Sequence, residues 1–507
     1  MKIEDYRRDF AAYNSALELA YYQHRAGFER ELHIEPVYDR YGDLFTRAAI
    51  DDLVRELDAT QAHRETERAG LRALIGAARY GYLQAEATEL TLERARCESS
   101  ARIAWEGESI PAYNVPAKIS NEPVASKRRE LTARWSDALA SCNDLRAARI
   151  ESFHESARDL GFDSYRHLCT ETSGTDYEQL AATTDRFLAR TEQAYISALA
   201  RALPHDVPGV ALEDLQHSDY FFFERMAPLD ALFPAGQLLS TYSEAMKGLG
   251  IQVWQQKNIM IDDEARPYKN PRAACLRVNP PDDVRLLLSP IGGAYDYRTL
   301  FHEAGHAQHL GWSSRELAAH HPEFIFAPDY ATTEAHAFLF QHLFLDHQWL
   351  SEYRTNLNAE QTDSAVRTLA LRTTCTVRRF CAKLRFEIAL HDSPRVHSEH
   401  LAEAYAQLQF ETTGFRRHPA LYLMDVDDEF YVAAYLRAWA FEAGLREHLL
   451  TRYGRRWWAT RRAGDELIDL WNTSSRYSVE ELAQLIGFGE ISFDLLADTL
   501  VAALSEE

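Results

Sequence analysis

The residues best placed to do chemistry are His302-Glu303-Ala304-Gly305-His306. Two imidazoles four residues apart on an α-helix differ by about 40° in azimuth and about 6 Å in rise, so both can reach one metal ion. Glu303 is too close in sequence to join that chelate, but it can reach a water on the metal, the position of a general base. A catalytic zinc commonly takes three protein ligands, so a third is expected. His309 shares the face of His302, yet seven residues span about 10.5 Å of helix, which assigns it to packing or to support behind the ligands. Of the glutamates that follow, Glu334 is the strongest candidate. Pro328, Asp329, Thr332 and Thr333 supply helix-start chemistry before it, and the apolar run beyond implies a buried helix in which a lone carboxylate needs compensation. The competing reading of Glu334 is a first-turn acid complementing the helix dipole. Glu316 and Glu323 fall in a connection read as exposed and rank below it. His336 points to another helix face. Eight of the 20 histidines lie between His302 and His347, a density that reads as a polar cleft wall and not as a second metal site.

These side chains need elements to hold them. Just upstream, two short apolar runs, 273–278 and 284–289, flank Pro280-Pro281-Asp282-Asp283, which predicts a β-hairpin. Elsewhere the 22 glycines and 17 prolines of 507 residues fall below the usual shares of roughly 7% and 5%, which favours long helices. Apolar residues recur at helical spacing over 435–450 and 187–203. The predicted fold class is mainly α, with breaks at 110–123, read as a loop or a pair of extended segments, and at 204–209.

Composition excludes several function classes. With 46% apolar and 26% charged residues the chain is a globular protein with a sizeable core, not a disordered one. Lys and Arg number 55 against 77 Asp and Glu, and a net charge of −22 without a long basic run argues against nucleic acid and membrane surfaces as partners. No window reaches the 18 or so apolar residues of a membrane span. Six scattered cysteines without a C-x-x-C pair, and a charged N-terminus without an apolar core segment, predict free thiols, no secretory signal and a cytoplasmic location. G-x-S-x-G, P-loop and G-x-G-x-x-G motifs do not occur.

Residues 302–309 fit the form H-E-x-G-H-x-x-H, and Glu334 follows the second histidine by 28 residues. In this the chain resembles the thimet oligopeptidase and oligoendopeptidase F peptidases and, more distantly, angiotensin-converting enzyme, all gluzincins. The resemblance implies one zinc ion per chain held by His302, His306 and Glu334, with Glu303 activating water to hydrolyse peptide bonds in short peptides. The segment Glu429–Trp439 looks like the family's late tyrosine-rich helix, which implies that Tyr435, or Tyr431 one turn earlier, donates to the oxyanion; His418 is a lesser candidate for a polar contact. It further implies a mostly helical clamshell with a deep channel and a small sheet beside the zinc helix, whose edge can pair with an extended substrate. Residues 1–210 would form a helical lid or channel wall and 211–507 the catalytic region. Three departures stand out: Ala304 replaces a larger residue, Glu334-Ala335-His336-Ala337 lacks the usual Pro and Ser, and the tyrosines are four apart, not three. They leave a second reading, a metal-dependent amidase or tailoring enzyme for one peptide-like metabolite, and a third, a helical binding protein with a vestigial metal site.

Overall fold

Few breakers mean few interruptions, and the computed structural model, which describes residues 2–505, contains twenty-three α-helices and five short strands among them. The mainly α reading holds. The chain divides into two units, each built from separated stretches: one from 1–81, 229–366 and 437–496, the other from 82–228, 367–436 and 497–507. The sequence reading drew one boundary at 210/211, whereas these units interleave along the chain.

The first unit carries the sheet. Strands β3 (Ile259–Asp262), β4 (Ala274–Asn279) and β5 (Asp283–Leu287) lie in the order β3-β5-β4. β4 and β5 pair antiparallel, as the hairpin reading expects, while β3 adds a parallel strand that the sequence did not reveal. Alternation along β4 buries Ala274, Leu276 and Val278, and the N-terminal helix Ile3–Arg25 packs Tyr22 with the following Ala26 against them. Beyond β5, Gly292 and Gly293 adopt positive φ, and Asp296 Oδ2 accepts the Ile291 and Gly292 N–H groups at 2.6 and 2.8 Å. That turn starts the helix Ala294–Gly311, which carries the H-E-x-x-H residues. The helix Tyr330–Gln341 follows, with Asp329 as its N-cap, accepting the Ala331 N–H. Arg437 clamps that cap with two bonds to Asp329 at 3.0 and 2.8 Å.

The second unit holds a hairpin of β1 (Arg102–Trp105) and β2 (Glu108–Pro111), turning through Glu106 and Gly107 at positive φ. Ile103, Trp105 and Ile110 pack there with Leu131, Trp135 and Leu139. The segment 110–123 is therefore not simply loop or extended chain: after β2, Val115–Asn121 is helical, with Pro116 in the first turn, where its missing N–H costs no helix bond. The break expected from Pro204 comes later, since the helix Tyr177–Asp206 runs past it. A proline this near a helix end disrupts little. One cysteine reading needs correction. Cys97 and Cys142, taken as free thiols, form a disulfide with Cα atoms 6.0 Å apart. The end of the helix Thr88–Ser100 and the start of Asn143–Asp159 bring together residues that no short spacing links. Cys169, Cys275, Cys375 and Cys381 are free. No helix is long and apolar enough to cross a membrane among the described residues.

Candidate metal centre

Two helices must come close for their side chains to share an ion, and Gly305 permits it. A Cβ at that position would lie 2.5 Å from Ala337 Cα and 2.6 Å from the His336 carbonyl oxygen, too near for any side chain. With that contact made, Glu334 Oε2 stands 3.3 Å from His302 Nε2 and 3.6 Å from His306 Nε2. The three ligand atoms lie within 4.8 Å of one another. Ligands 2.0–2.1 Å from a tetrahedral zinc are themselves about 3.3–3.4 Å apart, so these residues fit that ion in both donor type and spacing. Phe338 backs His302 at 5.2 Å between ring centroids and stacks on Trp439 at 4.6 Å, fixing the imidazole from behind.

Burial sets the electrostatics. It depresses the His306 imidazole to about 4, and an imidazole must be neutral to ligate a metal. Burial also pulls His302 down, but its contact with Glu334 and the charge of Glu303 outweigh this and leave it raised. Glu303 is raised, chiefly by burial, against the opposing influence of His302, a backbone hydrogen bond and Arg25. That hydrogen bond comes from the Cys275 N–H on β4, 2.8 Å from Glu303 Oε2. The site therefore joins a three-donor cluster to a carboxylate whose environment favours proton uptake.

No family model matches the chain, and no curated protein matches it in sequence. Solved structures do. One is named as an oligoendopeptidase F from Bacillus anthracis, with TM-score 0.63 and 14% identity over 97% of this chain and 88% of that one. Another is PZ peptidase A with an inhibitor, with TM-score 0.64 and 15% identity over 97% and 90%. The chain has the oligoendopeptidase F fold.

Within that fold His302, Glu303, His306 and Glu334 come together in the first unit. His309 and His336 do not join them: both are buried, with ring centroids 4.8 Å apart, and burial depresses both. Glu323 was misplaced by the sequence reading. It is fully buried and grips Arg7, with Oε1 2.8 Å from Nη2, instead of lying in an exposed connection. Tyr431 and Tyr435 belong to the second unit, 5.0 Å apart between centroids, with Tyr435 against Phe380 at 5.1 Å. Glu429 and Phe430 just before them adopt positive φ. His418 is half-buried in the same unit and depressed by burial. Sequence reasoning missed the Cys275 N–H, since a backbone donor leaves no side-chain signature. The role of Gly305 was visible only as a small residue inside the motif.

Proposed function

We propose that this protein is a zinc-dependent peptidase acting on short peptides. The observation that carries the reading is the His302, His306 and Glu334 cluster with buried Glu303 beside it. When bound, the ion supplies a Lewis acid and lowers the pKa of its water toward about 7. His302, His306 and Glu334 would hold the ion, two imidazoles and one carboxylate. Glu303 takes the proton of the attacking water and returns it to the leaving amine, and the Cys275 N–H holds its carboxylate in place for both transfers. The outer side of β4, the edge strand of its sheet, offers backbone groups with which an extended peptide can pair. Tyr435, with Tyr431 as the alternative, is assigned the oxyanion donor on the resemblance of 429–439 alone, and Tyr→Phe at each position separates them by which loses about 10²–10³ in kcat.

The test is mass spectrometry of a mixed library of short peptides incubated with zinc-loaded protein beside Glu303→Gln. The expected result is cleavage by the parent alone, at a rate at least about 10³ above the variant. Equal cleavage by both, or none by a parent that retains zinc, sinks the general peptidase reading; the latter outcome directs the search to one dedicated amide substrate.

A further inference from the structure

The third proposed ligand stands on a helix of its own and needs contacts of its own to aim it. The helix Tyr330–Gln341 meets the motif helix where Gly305 faces Ala337, just beyond Glu334. A helix pinned at one point can still pivot and roll about it. Glu334, about 4.5 Å of rise from that point, would then swing away from His302 and His306. A second pin is needed on the other side of Glu334.

Asp329 supplies it. Its Oδ1 accepts the Ala331 N–H at 3.1 Å, which caps the helix, and the same carboxylate accepts from Arg437 Nη1 at 3.0 Å and Nη2 at 2.8 Å. Arg437 is gripped from behind, its Nε and Nη2 donating to Glu480 at 2.8 and 2.6 Å. Two bonds to each carboxylate fix the direction of the guanidinium as well as its position, which a point charge does not do. Glu480 in turn opens the helix Val479–Leu485, itself held by the capping box of Ser478 and Glu481. Beside this, Thr332 Oγ1 donates to the Tyr477 carbonyl at 3.1 Å. The first turn before Glu334 is thus tied to 477–480 by two routes.

Past Glu334 the neighbours of Arg437 continue the hold. Trp439 stacks on Phe338 at 4.6 Å between centroids, and Glu442 Oε2 lies 2.6 Å from His342 Nδ1. Phe338 follows Glu334 by four residues on the same face, and His342 closes the helix end. Residues 437–442, about a turn and a half of helix, therefore hold the strip that carries Glu334 both before and after it, and all of these residues belong to the first unit.

We propose that Arg437 is a positioning residue for the metal centre: by clamping Asp329 it keeps Glu334 at the ligand position, so that the third donor is in place before an ion arrives. This rests on the peptidase reading above and deepens it. Arg437 acts through Asp329 and takes no part in the chemistry. Its loss lowers the fraction of folded molecules whose third ligand is correctly aimed, and apparent affinity for the ion falls with that fraction.

The experiment measures zinc affinity of the purified full-length protein by competition with chromogenic chelators, beside melting temperatures of the metal-free forms. Arg437→Gln is expected to bind zinc about tenfold more weakly, the order set by a helix cap and a charge-assisted pair. Arg437→Lys, which keeps the charge and loses the fork, should lose about threefold. Asp329→Asn keeps a cap acceptor and removes the charge; it should match Arg437→Gln, and the double variant should be no worse than either alone. In a Glu334→Gln background, Arg437→Gln should cost less than about twofold, because no third ligand remains to be aimed. A merely structural arginine would lower the melting temperature and leave the affinity of the folded protein unchanged. Zinc affinity within twofold of the parent in folded Arg437→Gln overturns the proposal, and so does an equal loss with and without Glu334. If Arg437→Gln does not fold, Asp329→Asn carries the same test with the same outcomes. A parent that binds no zinc removes the peptidase reading and the positioning role together, whereas a parent that binds zinc, with Arg437→Gln unchanged, removes the positioning role alone.

Discussion

Glu334 closes the proposed ligand set, because it is the only one of the three donors not on the motif helix, and both histidines approach the same one of its oxygens. Removing its charge while keeping its shape isolates that role. Glu334→Gln is expected to weaken zinc binding by more than about 100-fold in competition with a chromogenic chelator, with little change in helix content. Binding within tenfold of the parent would remove Glu334 from the ligand set. At this scale the sequence was informative where chemistry obeys local spacing. His302 and His306 are readable because i and i+4 meet on any helix, and Glu334 because a carboxylate in an apolar helix calls for a partner. Glu323 was misread because its partner Arg7 is 316 residues away, although the apolar Phe324-Ile325-Phe326 run beside it was itself a sign of burial.

The decisive contact between elements is the crossing of the helices Ala294–Gly311 and Tyr330–Gln341 at Gly305. Gly305→Ala puts a methyl into the Ala337 backbone, which has no rotamer by which to yield. The helices must separate, and a cost of about 2 kcal/mol or more is expected in denaturant midpoint, together with weaker zinc binding as Glu334 is carried away. Gly236→Ala, where the added Cβ meets nothing within 4 Å, serves as the control and should change neither quantity appreciably. A Gly305→Ala protein that matches this control would mean the crossing tolerates slack. The hairpin of β4 and β5 was legible because its turn residues sit between two apolar runs. β3 was not, since a parallel neighbour is separated from β5 by a long connection and leaves no turn signature. Helix limits misled where proline was given too much weight, as at Pro204, or too little attention to position, as at Pro116.

For the molecule as a whole, acid should be more damaging than its surface charge suggests. His154 Nε2 lies 2.9 Å from His391 Nδ1, one ring donating and the other accepting, and burial depresses them to about 4 and about 3. Folded values below the ordinary 6.5 mean that the unfolded chain binds more protons between about pH 6.5 and 4, so the stability this pair contributes is present above that window and is lost as pH falls through it. Glu429 works in the opposite sense, since burial raises it to about 8 and favours the folded state at low pH. A difference measurement separates the two. The melting temperature of the parent minus that of His391→Gln should shrink by about 2 °C or more between pH 7 and pH 5, and a constant difference would show that the pair is not a proton-sensitive element. The two units interleave along the chain, which a single boundary drawn from the sequence does not capture. The Cys97–Cys142 bond encloses one such surface feature, the hairpin with its exposed Glu106-Gly107 tip, inside a covalent loop. A chain severed at that tip is therefore still one molecule: the two pieces remain tethered, and the wound can be tolerated without either half drifting away.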